Sequence, residues 1–537
     1  MHPFHPLPAL LAASTLTKIS RGMFDDTFAG IHRLGWFDWA LLVPYFGVLA
    51  ILSVYGLHRF DTIYTYFKYR KKVGTEPETR FEQLPPVTIQ LPLFNERYVL
   101  ERLIDETVQM DYPRELLQIQ VLDDSTDDTH EFAEALCERY RNLGHNIQYL
   151  HRTNREGYKA GALHEGLKVA SGEFVAVFDA DFLPPVDFLM RTIHHFSDPK
   201  VGVVQTRWGY LNKDFNVLTE VQAILLDGHF VLEHGARSRA GYFFNFNGTA
   251  GILRKTMIDD AGGWQHDTLT EDSDLSYRAQ VKGWRFVYVP GVECPSELPV
   301  DMHGFQVQQF RWAKGLTQCA KKLLPMLWKA DIPLRTKIEA FLHLTPNISY
   351  PLMIIVSALM LPVMIVRFYM GVWEMMLLDF PLIIASFWSL SAFYIIAQRE
   401  LHPKNWLRSI FFIPALMCLG VGLTLNNTRA VSEALRGVVS SFVRTPKFAI
   451  QGTAEKKRAV NKYKRKSGWL PYLELACGAY FLYICGFAIS TYNFMTLPFL
   501  LMFVGGYFWA GLSTLWHEYQ DRQRHNAAQR LEFETAN

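Results

Sequence analysis

Apolar runs near both ends of this 537-residue chain are long enough to cross a lipid bilayer. The first, residues 36–57, has about the 20 residues that a membrane helix needs. Backbone polar groups have no water to bind inside a bilayer, so runs of this kind can span it only as helices. The sequence therefore predicts an integral membrane protein in which a long polar stretch separates the first span from the others.

Basic residues between the apolar runs predict how the chain is oriented. If residues 409–425 crossed fully, the cluster from Lys456 to Lys466 would face the side opposite to Lys71, against the positive-inside rule. We therefore expect an interfacial or re-entrant helix at 409–425, five crossings, and an amino terminus outside. The remaining candidate spans are residues 350–370, 376–398, 469–490 and 494–516.

Composition narrows the possible partners. The net charge is only +2, and the basic residues cluster at the edges of apolar runs, so we expect a lipid bilayer and not a nucleic acid. The six cysteines show no CxxC or CxxH spacing, which argues against a zinc site or a disulfide framework.

The polar stretch, residues 85–330, alternates short apolar runs with helical patterns, which predicts an α/β domain with a mainly parallel sheet. Ligands of such sheets bind at the carboxyl ends of the strands. The predicted strands are 87–91, 117–122, 148–151, 174–178 and 201–206, and the predicted helices among them are 98–110 and 132–142.

Acidic pairs follow two of these strands: Asp123 and Asp124 after the second, and Asp179 and Asp181 after the fourth. Carboxylates at the ends of apolar strands gain nothing in packing and are tolerated where they hold a metal or a proton. Hard oxygen ligands suit Mg or Mn, so Asp179 and Asp181 are the predicted metal ligands. A solvated turn is the alternative for this pair.

Two longer phrases make a resemblance specific: Phe-Asn-Gly-Thr-Ala-Gly at residues 246–251 and Gln-Gln-Phe-Arg-Trp-Ala-Lys-Gly at residues 308–315. With the acidic motifs, they make residues 86–447 resemble a processive family 2 glycosyltransferase of the cellulose synthase-like A and C kind. The resemblance implies a GT-A-type, Rossmann-like α/β domain inserted between transmembrane α-helices. It also implies that the divalent cation would bridge the diphosphate of a nucleotide-sugar donor.

The same resemblance assigns the donor contacts. Asp123 and Asp124 would contact the nucleoside end of the donor. Lys159, in Lys-Ala-Gly-Ala, would contact the donor where small residues let the backbone approach, although an ordinary helix start explains this segment equally well.

Asp272, in Thr270-Glu271-Asp272, is the predicted catalytic base, because an inverting transfer needs one carboxylate to remove the acceptor proton. Glu271 is the competing candidate, and the resemblance favours Asp272. A structural role is also open, since Thr270 could cap a helix over residues 272–281.

Gln308, Arg311 and Trp312 have the spacing i, i+3, i+4, which places them on one face of a helix. Arginine can bind a diphosphate, and tryptophan offers a flat face to a sugar ring. The continuation of this helix toward residue 328 is typical of an amphipathic interface helix.

Residues 442–447, Phe-Val-Arg-Thr-Pro-Lys, resemble the gating loop of bacterial cellulose synthase, with Arg444 as a departure from its pattern. The resemblance implies that Thr445 and Lys447 reach the donor diphosphate when the loop enters the site. A lysine-containing linker is the alternative.

The sequence therefore predicts inverting, metal-dependent transfer of a hexose from UDP-glucose or GDP-mannose to a growing β-linked glucan or (gluco)mannan, with translocation through the membrane. The alternative is a non-processive enzyme that glycosylates a diacylglycerol or ceramide-like lipid. The expected regions are 1–84 with the first span, 85–330 as a cytoplasmic catalytic domain, and 331–537 with the remaining spans, the gating loop and a basic tail.

Overall fold

The computed structural model describes residues 32–72, 76–77, 79–368, 381–382, 384–440, 447, 450 and 468–536. The strands are β1 (Val87–Leu93), β2 (Leu117–Asp123), β3 (Ile147–His151), β4 (Phe174–Val177), β5 (Val201–Tyr210), β6 (Gly251–Arg254) and β7 (Arg285–Ser296). The helices before residue 300 are α1 (Trp36–Lys68), α2 (Arg97–Val108), α3 (Thr129–Asn142), α4 (Tyr158–Lys168), α5 (Phe188–Thr192), α6 (Val217–Asp227), α7 (Gly235–Ala240), α8 (Lys255–Asp260) and α9 (Glu271–Val281).

The later helices are α10 (Met302–Lys329), α11 (Leu334–Leu344), α12 (Ser349–Arg367), α13 (Ser389–Leu401), α14 (Trp406–Ile410), α15 (Ile413–Gly422), α16 (Thr424–Leu435), α17 (Leu470–Ser490) and α18 (Leu497–Ala536). Two π-helical segments, Gly228–His234 and Ile384–Trp388, lead into α7 and α13.

The described strands form one mixed sheet in the order β3-β2-β1-β4-β6-β5-β7. β1 pairs in parallel with β2 and β4, β2 with β3, and β5 with β7. β6 alone runs antiparallel to its neighbours, β4 and β5. The prediction of a mainly parallel α/β sheet is therefore confirmed, and its antiparallel element is β6.

The sheet is buried on both faces, as parallel sheets are. Alternate residues of β1, including Val87, Ile89 and Leu91, belong to the apolar core beneath α2 and α3. The other face of β1 carries Thr88 and Gln90, which are fully buried and hydrogen-bond to side chains of β2 at 2.7 and 3.0 Å. Thr88 Oγ1 and Gln90 Nε2 thus find partners within the sheet, which offsets part of the cost of their burial, whereas Gln90 Oε1 has no hydrogen-bond partner among the described residues.

Four described helices are long and apolar enough to cross a membrane, at Trp36–Lys68, Pro346–Arg367, Leu470–Ser490 and Leu497–Gln523. They coincide with four of the predicted spans. The predicted span 376–398 lies partly outside the described residues. Its described remainder, the π-helical segment Ile384–Trp388 and α13, is not among the helices that meet these criteria.

The apolar stretch around residues 409–425 is broken. Trp406–Gly422 and Thr424–Leu435 meet at a bend of 43°, so the pair is either one broken span or a re-entrant loop. With this pair the number of possible crossings among the described residues rises from four to five. The re-entrant arrangement inferred from the basic clusters stays a prediction.

Candidate active site

A cavity of about 180 Å³ opens where β1, β2 and β4 end at their carboxyl sides. The chain brings almost all of its predicted site residues to this one place. The predicted residues that line the cavity are Asp124, Lys159, Asp179, Asp181, Asp272, Gln308, Arg311, Trp312 and Lys447.

Two lysines neutralise the acidic pair that follows β4. Lys159, in the first turn of α4, forms an ion pair with Asp179 and donates a 2.9 Å hydrogen bond to the Gly248 carbonyl. Lys447 donates to Asp181 Oδ2 and to the Glu297 carbonyl, both at 2.6 Å. Positive charge therefore lies directly against both carboxylates.

This arrangement fits a divalent cation. Asp179 and Asp181 both present carboxylate oxygens, the donor type that Mg and Mn prefer, to the cavity where the other predicted site residues meet. A bound Mg or Mn ion would offset negative charge that develops on a departing diphosphate.

A second group of side chains of the kind that bind metals lies away from the cavity, between α1 and α11. It consists of His58, Asp61 and Glu339. Arg335 forms ion pairs with Asp61 and Glu339, and Arg237 approaches Glu339 at 3.6 Å. The carboxylates are thus neutralised by arginines, so this cluster is an ion-pair network that joins α1 to the α/β domain.

The two aspartates at the end of β2 have different surroundings. Asp124 reaches the cavity, where Arg152 binds its carboxylate through two hydrogen bonds of 2.6 and 2.8 Å. Asp123 is fully buried and does not line the cavity. Its carboxylate accepts bonds from the Ser125 backbone N–H and from the Tyr149 hydroxyl, both at 2.8 Å, so it stabilises the turn after β2.

Asp272 lies in the first turn of α9, and its Oδ1 accepts a 2.7 Å bond from the Ser273 backbone N–H. Burial and the neighbouring charge of Glu271 raise the pKa of Asp272 to about 7. Burial likewise raises the pKa of Glu271, but its charge faces Lys159. A carboxyl with a pKa near neutrality is suited to accept a proton at cellular pH.

The residues before Asp272 position it. Helix α9 begins at Glu271, close to the predicted start, but Thr270 makes no capping hydrogen bond through its side chain. Gly248 adopts a left-handed conformation with φ +79°, and a Cβ atom there would lie 3.0 Å from Asp272 Oδ2. Glycine in the Phe-Asn-Gly phrase therefore leaves room for the carboxylate of Asp272.

Helix α10 presents Gln308, Arg311 and Trp312 to the cavity from one face, as their spacing predicts. Its other face contacts the membrane region. Lys314 is fully buried and donates to Glu433 at 2.8 Å and to Ser440 at 2.9 Å. Gln306 donates to Glu474 of α17 at 2.8 Å. One helix thus connects the cavity with the apolar helices.

The predicted gating segment is described only in part. Lys447 lines the cavity and contacts Asp181, whereas Thr445 lies outside the described residues. The placement of Lys447 is compatible with the predicted contact to a donor diphosphate.

The sequence reasoning missed several residues that line the cavity. The Arg155 guanidinium stacks 3.3 Å above the Phe94 ring, and both side chains face the cavity. Arg155 precedes Gly157, whose φ is +69°, so the glycine before Lys-Ala-Gly was a signal for a tight turn at the site. Asn247, Trp208 and Glu297 also line the cavity, and only Asn247 belongs to a phrase that had been singled out.

Residues 85–315 match the family described as "Glycosyltransferase like family 2". This stretch contains the whole sheet and every lining residue except Lys447. The described α/β domain is therefore similar to that family, and its mixed sheet agrees with the predicted GT-A-type arrangement. The predicted resemblance to cellulose synthase-like family 2 glycosyltransferases is therefore confirmed over this stretch, and processive transfer of a hexose by this chain stays a proposal.

Curated relatives give a finer comparison. The chain is 45% identical over 256 residues to glucomannan 4-beta-mannosyltransferase 1 of Oryza sativa subsp. japonica, covering 46% of this chain and 49% of the relative. It is 42% identical over 271 residues to glucomannan 4-beta-mannosyltransferase 9 of Arabidopsis thaliana, covering 47% and 51%. The matches thus span about half the length of these relatives.

Among solved structures, the chain is similar to a mannosyltransferase of Pyrobaculum calidifontis, PcManGT, in complex with GDP-Man and Mn2+. The sequence identity is 22% and the TM-score is 0.48, covering 67% of this chain and 99% of that one.

Proposed function

We propose that this protein transfers mannose from GDP-mannose, with inversion, to the end of a growing β-1,4-linked mannan or glucomannan. The observation that carries the proposal is the convergence on one cavity of an acidic pair for a cation, a carboxyl with a pKa near 7, and an Arg-Trp helix face. Relatives named as glucomannan 4-beta-mannosyltransferases favour mannose over glucose as the transferred sugar.

Each lining residue then has a role. Asp272 removes the proton from the acceptor hydroxyl as that oxygen attacks the anomeric carbon. Arg311 and Lys447 bind the diphosphate by charge-assisted hydrogen bonds, and Thr445 joins them from the gating loop. Trp312 stacks on the acceptor sugar, and Gln308 lies beside it on the same helix face.

Other lining residues would hold the nucleoside and the cation. Asp124 and Lys159 contact the donor, and Asp179 and Asp181 hold Mg or Mn. Asp123 supports the nucleoside site indirectly through the turn after β2. In this proposal the catalytic domain, residues 85–330, faces the cytoplasm, and the product leaves through the membrane helices of residues 331–537.

The rival proposal is a glycolipid synthase, which would use the same donor site and accept a lipid from the bilayer. The names of the curated relatives favour a polysaccharide acceptor. The two proposals predict different products from the same donor.

The test is to incubate the purified protein in lipid vesicles with radiolabelled GDP-mannose or UDP-glucose and either Mg or Mn, and to size the labelled product. We expect label from GDP-mannose in material of high molecular weight that a β-1,4-mannanase digests. An Asp272→Asn sample in the same vesicles is the control for non-enzymatic label.

Label that moves into the organic phase as a single glycolipid would establish the lipid acceptor instead. Incorporation from UDP-glucose alone would support a polysaccharide synthase that transfers glucose instead of mannose.

A further inference from the structure

The two aspartates after β4 differ in how accessible they are. Asp179 keeps 34% of its side-chain surface accessible, whereas Asp181 keeps only 11%. The Lys447 ammonium lies against Asp181, and the Lys447 side chain is itself only 8% accessible. The contact between Asp181 and Lys447 is therefore almost closed to solvent, while Asp179 stays partly open.

Two oxygen atoms converge on the Lys447 ammonium. Its Nζ donates to Asp181 Oδ2 and to the Glu297 carbonyl oxygen, each at 2.6 Å. Carboxylate and carbonyl oxygens are also the ligands that hard divalent cations prefer. A divalent cation bound at Asp181 Oδ2 would need the space that the ammonium fills.

A second contact holds the chain near Lys447 at the same residue. The Ile450 backbone N–H donates to Glu297 Oε2 at 3.2 Å, and the Ile450 side chain is buried. Glu297 thus accepts from Lys447 through its backbone and from Ile450 through its side chain. The two contacts together keep the ammonium at Asp181.

The carboxylates at this place are already balanced by cations of the protein. Lys159 and Lys447 each pair with one of the two aspartates. Arg102 of α2 is a third cation: burial lowers the pKa of its guanidinium, and the negative charges of Glu297 and Asp181 oppose that shift. A divalent cation that entered alone would add positive charge without a partner, which is costly in a partly buried site. The phosphates of a nucleoside diphosphate would supply that partner.

We propose that Lys447 blocks Asp181 against a free divalent cation, and that a nucleoside diphosphate removes the block by drawing the ammonium from Asp181 to its phosphates. The new charge-assisted contact replaces the one that is lost, so the exchange costs little. Cation and donor therefore bind together, and each tightens the binding of the other. This binding order goes beyond the roles given above, and it rests on the cation site of the proposed function.

The test measures binding of Mn2+ alone to the full chain in phosphatidylcholine nanodiscs, by electron paramagnetic resonance and without nucleotide. A variant with both Asp179→Asn and Asp181→Asn gives the background from other carboxylates. In Lys447→Met we expect Mn2+ to bind at least about tenfold more tightly than in the wild type, the effect of removing one competing charge-assisted hydrogen bond.

Nucleotide gives a second readout. Added GDP, or UDP in parallel, should tighten Mn2+ binding about tenfold more in the wild type than in Lys447→Met, because the variant has no block to remove. At saturating Mn2+ the nucleotide itself should bind Lys447→Met more weakly, since its phosphates lose one ammonium contact. Structural damage would weaken both ligands, so opposite shifts for Mn2+ and nucleotide distinguish the block from damage.

Two variants control for charge. Arg155→Met removes a positive charge from the same cavity, but this guanidinium stacks on Phe94. Its effect on Mn2+ affinity should therefore stay below about twofold, as expected for a charge that does not contact the ion. Lys447→Arg keeps both the charge and a donor for Asp181, and it should retain the weak Mn2+ binding of the wild type.

Equal Mn2+ affinity in Lys447→Met and the wild type would overturn the proposal, and so would equal tightening by Arg155→Met. Absence of Mn2+ binding in every variant would overturn it together with the cation site. None of these measurements requires sugar transfer. A protein that gave the expected Mn2+ shifts but transferred no mannose would refute the proposed function and still support the block at Asp181.

Discussion

Gly315 of α10 lies against Thr270, the residue that precedes α9. A Cβ atom at position 315 would be 2.8 Å from Thr270 Oγ1 and 2.9 Å from its backbone nitrogen. The contact places the helix with Arg311 and Trp312 directly beside the helix with Asp272. The glycine that ends the Gln-Gln-Phe-Arg-Trp-Ala-Lys-Gly phrase is therefore required by the approach of two elements of the active site.

Gly315→Ala should separate these helices. We expect a loss of about 1–3 kcal/mol in the free energy of unfolding, typical of overpacking, and a fall of about tenfold or more in kcat. Thermal unfolding and initial rates measure the two effects. Gly420→Ala is the control, because a Cβ atom at this helical glycine meets no atom within 4 Å. Full activity in Gly315→Ala would show that the contact can relax without consequence.

Asp272→Asn should abolish transfer while donor binding persists, because an amide keeps the shape of the carboxyl but cannot accept a proton. The expected fall in kcat is about 10²–10⁴-fold. Glu271→Gln is the informative comparison, since Glu271 is the neighbouring carboxylate and also lines the cavity. A larger fall in kcat for Glu271→Gln than for Asp272→Asn would show that Glu271 is the catalytic base.

The activity should depend on pH through the same group. A base must be unprotonated, and burial raises the pKa of Asp272 to about 7, so the rate should fall as the pH decreases through that value. Measurement of kcat/KM from about pH 5 to about pH 9 should show an acid limb near neutrality. A limb close to pH 4, the ordinary range of an aspartate, would mean that Asp272 is not the titrating base.

Chelation should remove activity, and added Mg or Mn should restore it. In Asp181→Asn, half-maximal activity should require at least about tenfold more cation, because one carboxylate charge at the site is lost. Asp260→Asn, at an exposed carboxylate paired with Lys282, is the control. Unchanged activity of the wild-type protein in excess chelator would contradict the cation site.

Lys314→Met should destabilise the junction between the catalytic domain and the membrane helices. Lys314 is fully buried and is one of two cations paired with Glu433, the other being Arg429, so its loss should cost about 1–3 kcal/mol. The same substitution at Lys321, an exposed residue of the same helix, is the matched control and should change stability by under about 0.5 kcal/mol. Thermal unfolding in detergent measures both, and equal melting temperatures would contradict the prediction.

Five strands of the sheet, β1 to β5, could be predicted because each is an apolar run. Acidic pairs at or just after the ends of β2 and β4 supported this prediction. The last two strands were not predicted. β6 has only four residues and begins with Gly251, and β7 contains Pro290, Gly291 and Pro295, which normally interrupt a strand. Their pairing depends on contacts with β4 and β5 that no local pattern reveals.

The site residues that could be predicted are those that belong to short sequence motifs. Asp272, in Thr-Glu-Asp, and Trp312, in Gln-Gln-Phe-Arg-Trp, are examples. Glu297 reaches the cavity through the fold alone, and the local signal near Arg155 was only the turn at Gly157. Asp123 was grouped with Asp124 because the two are adjacent, yet successive strand residues point to opposite faces of a sheet. Only Asp124 lines the cavity.

The antiparallel strand β6 separates two groups of active-site residues along the sequence. Asp124, Lys159, Asp179 and Asp181 all precede Gly251, whereas Asp272 and Trp312 follow Arg254. The side chains proposed to choose the nucleotide and the cation are thus encoded upstream of those proposed to deliver the sugar. A substitution in the upstream half would therefore alter the proposed nucleotide and cation contacts while it leaves every residue of the proposed delivery half in place.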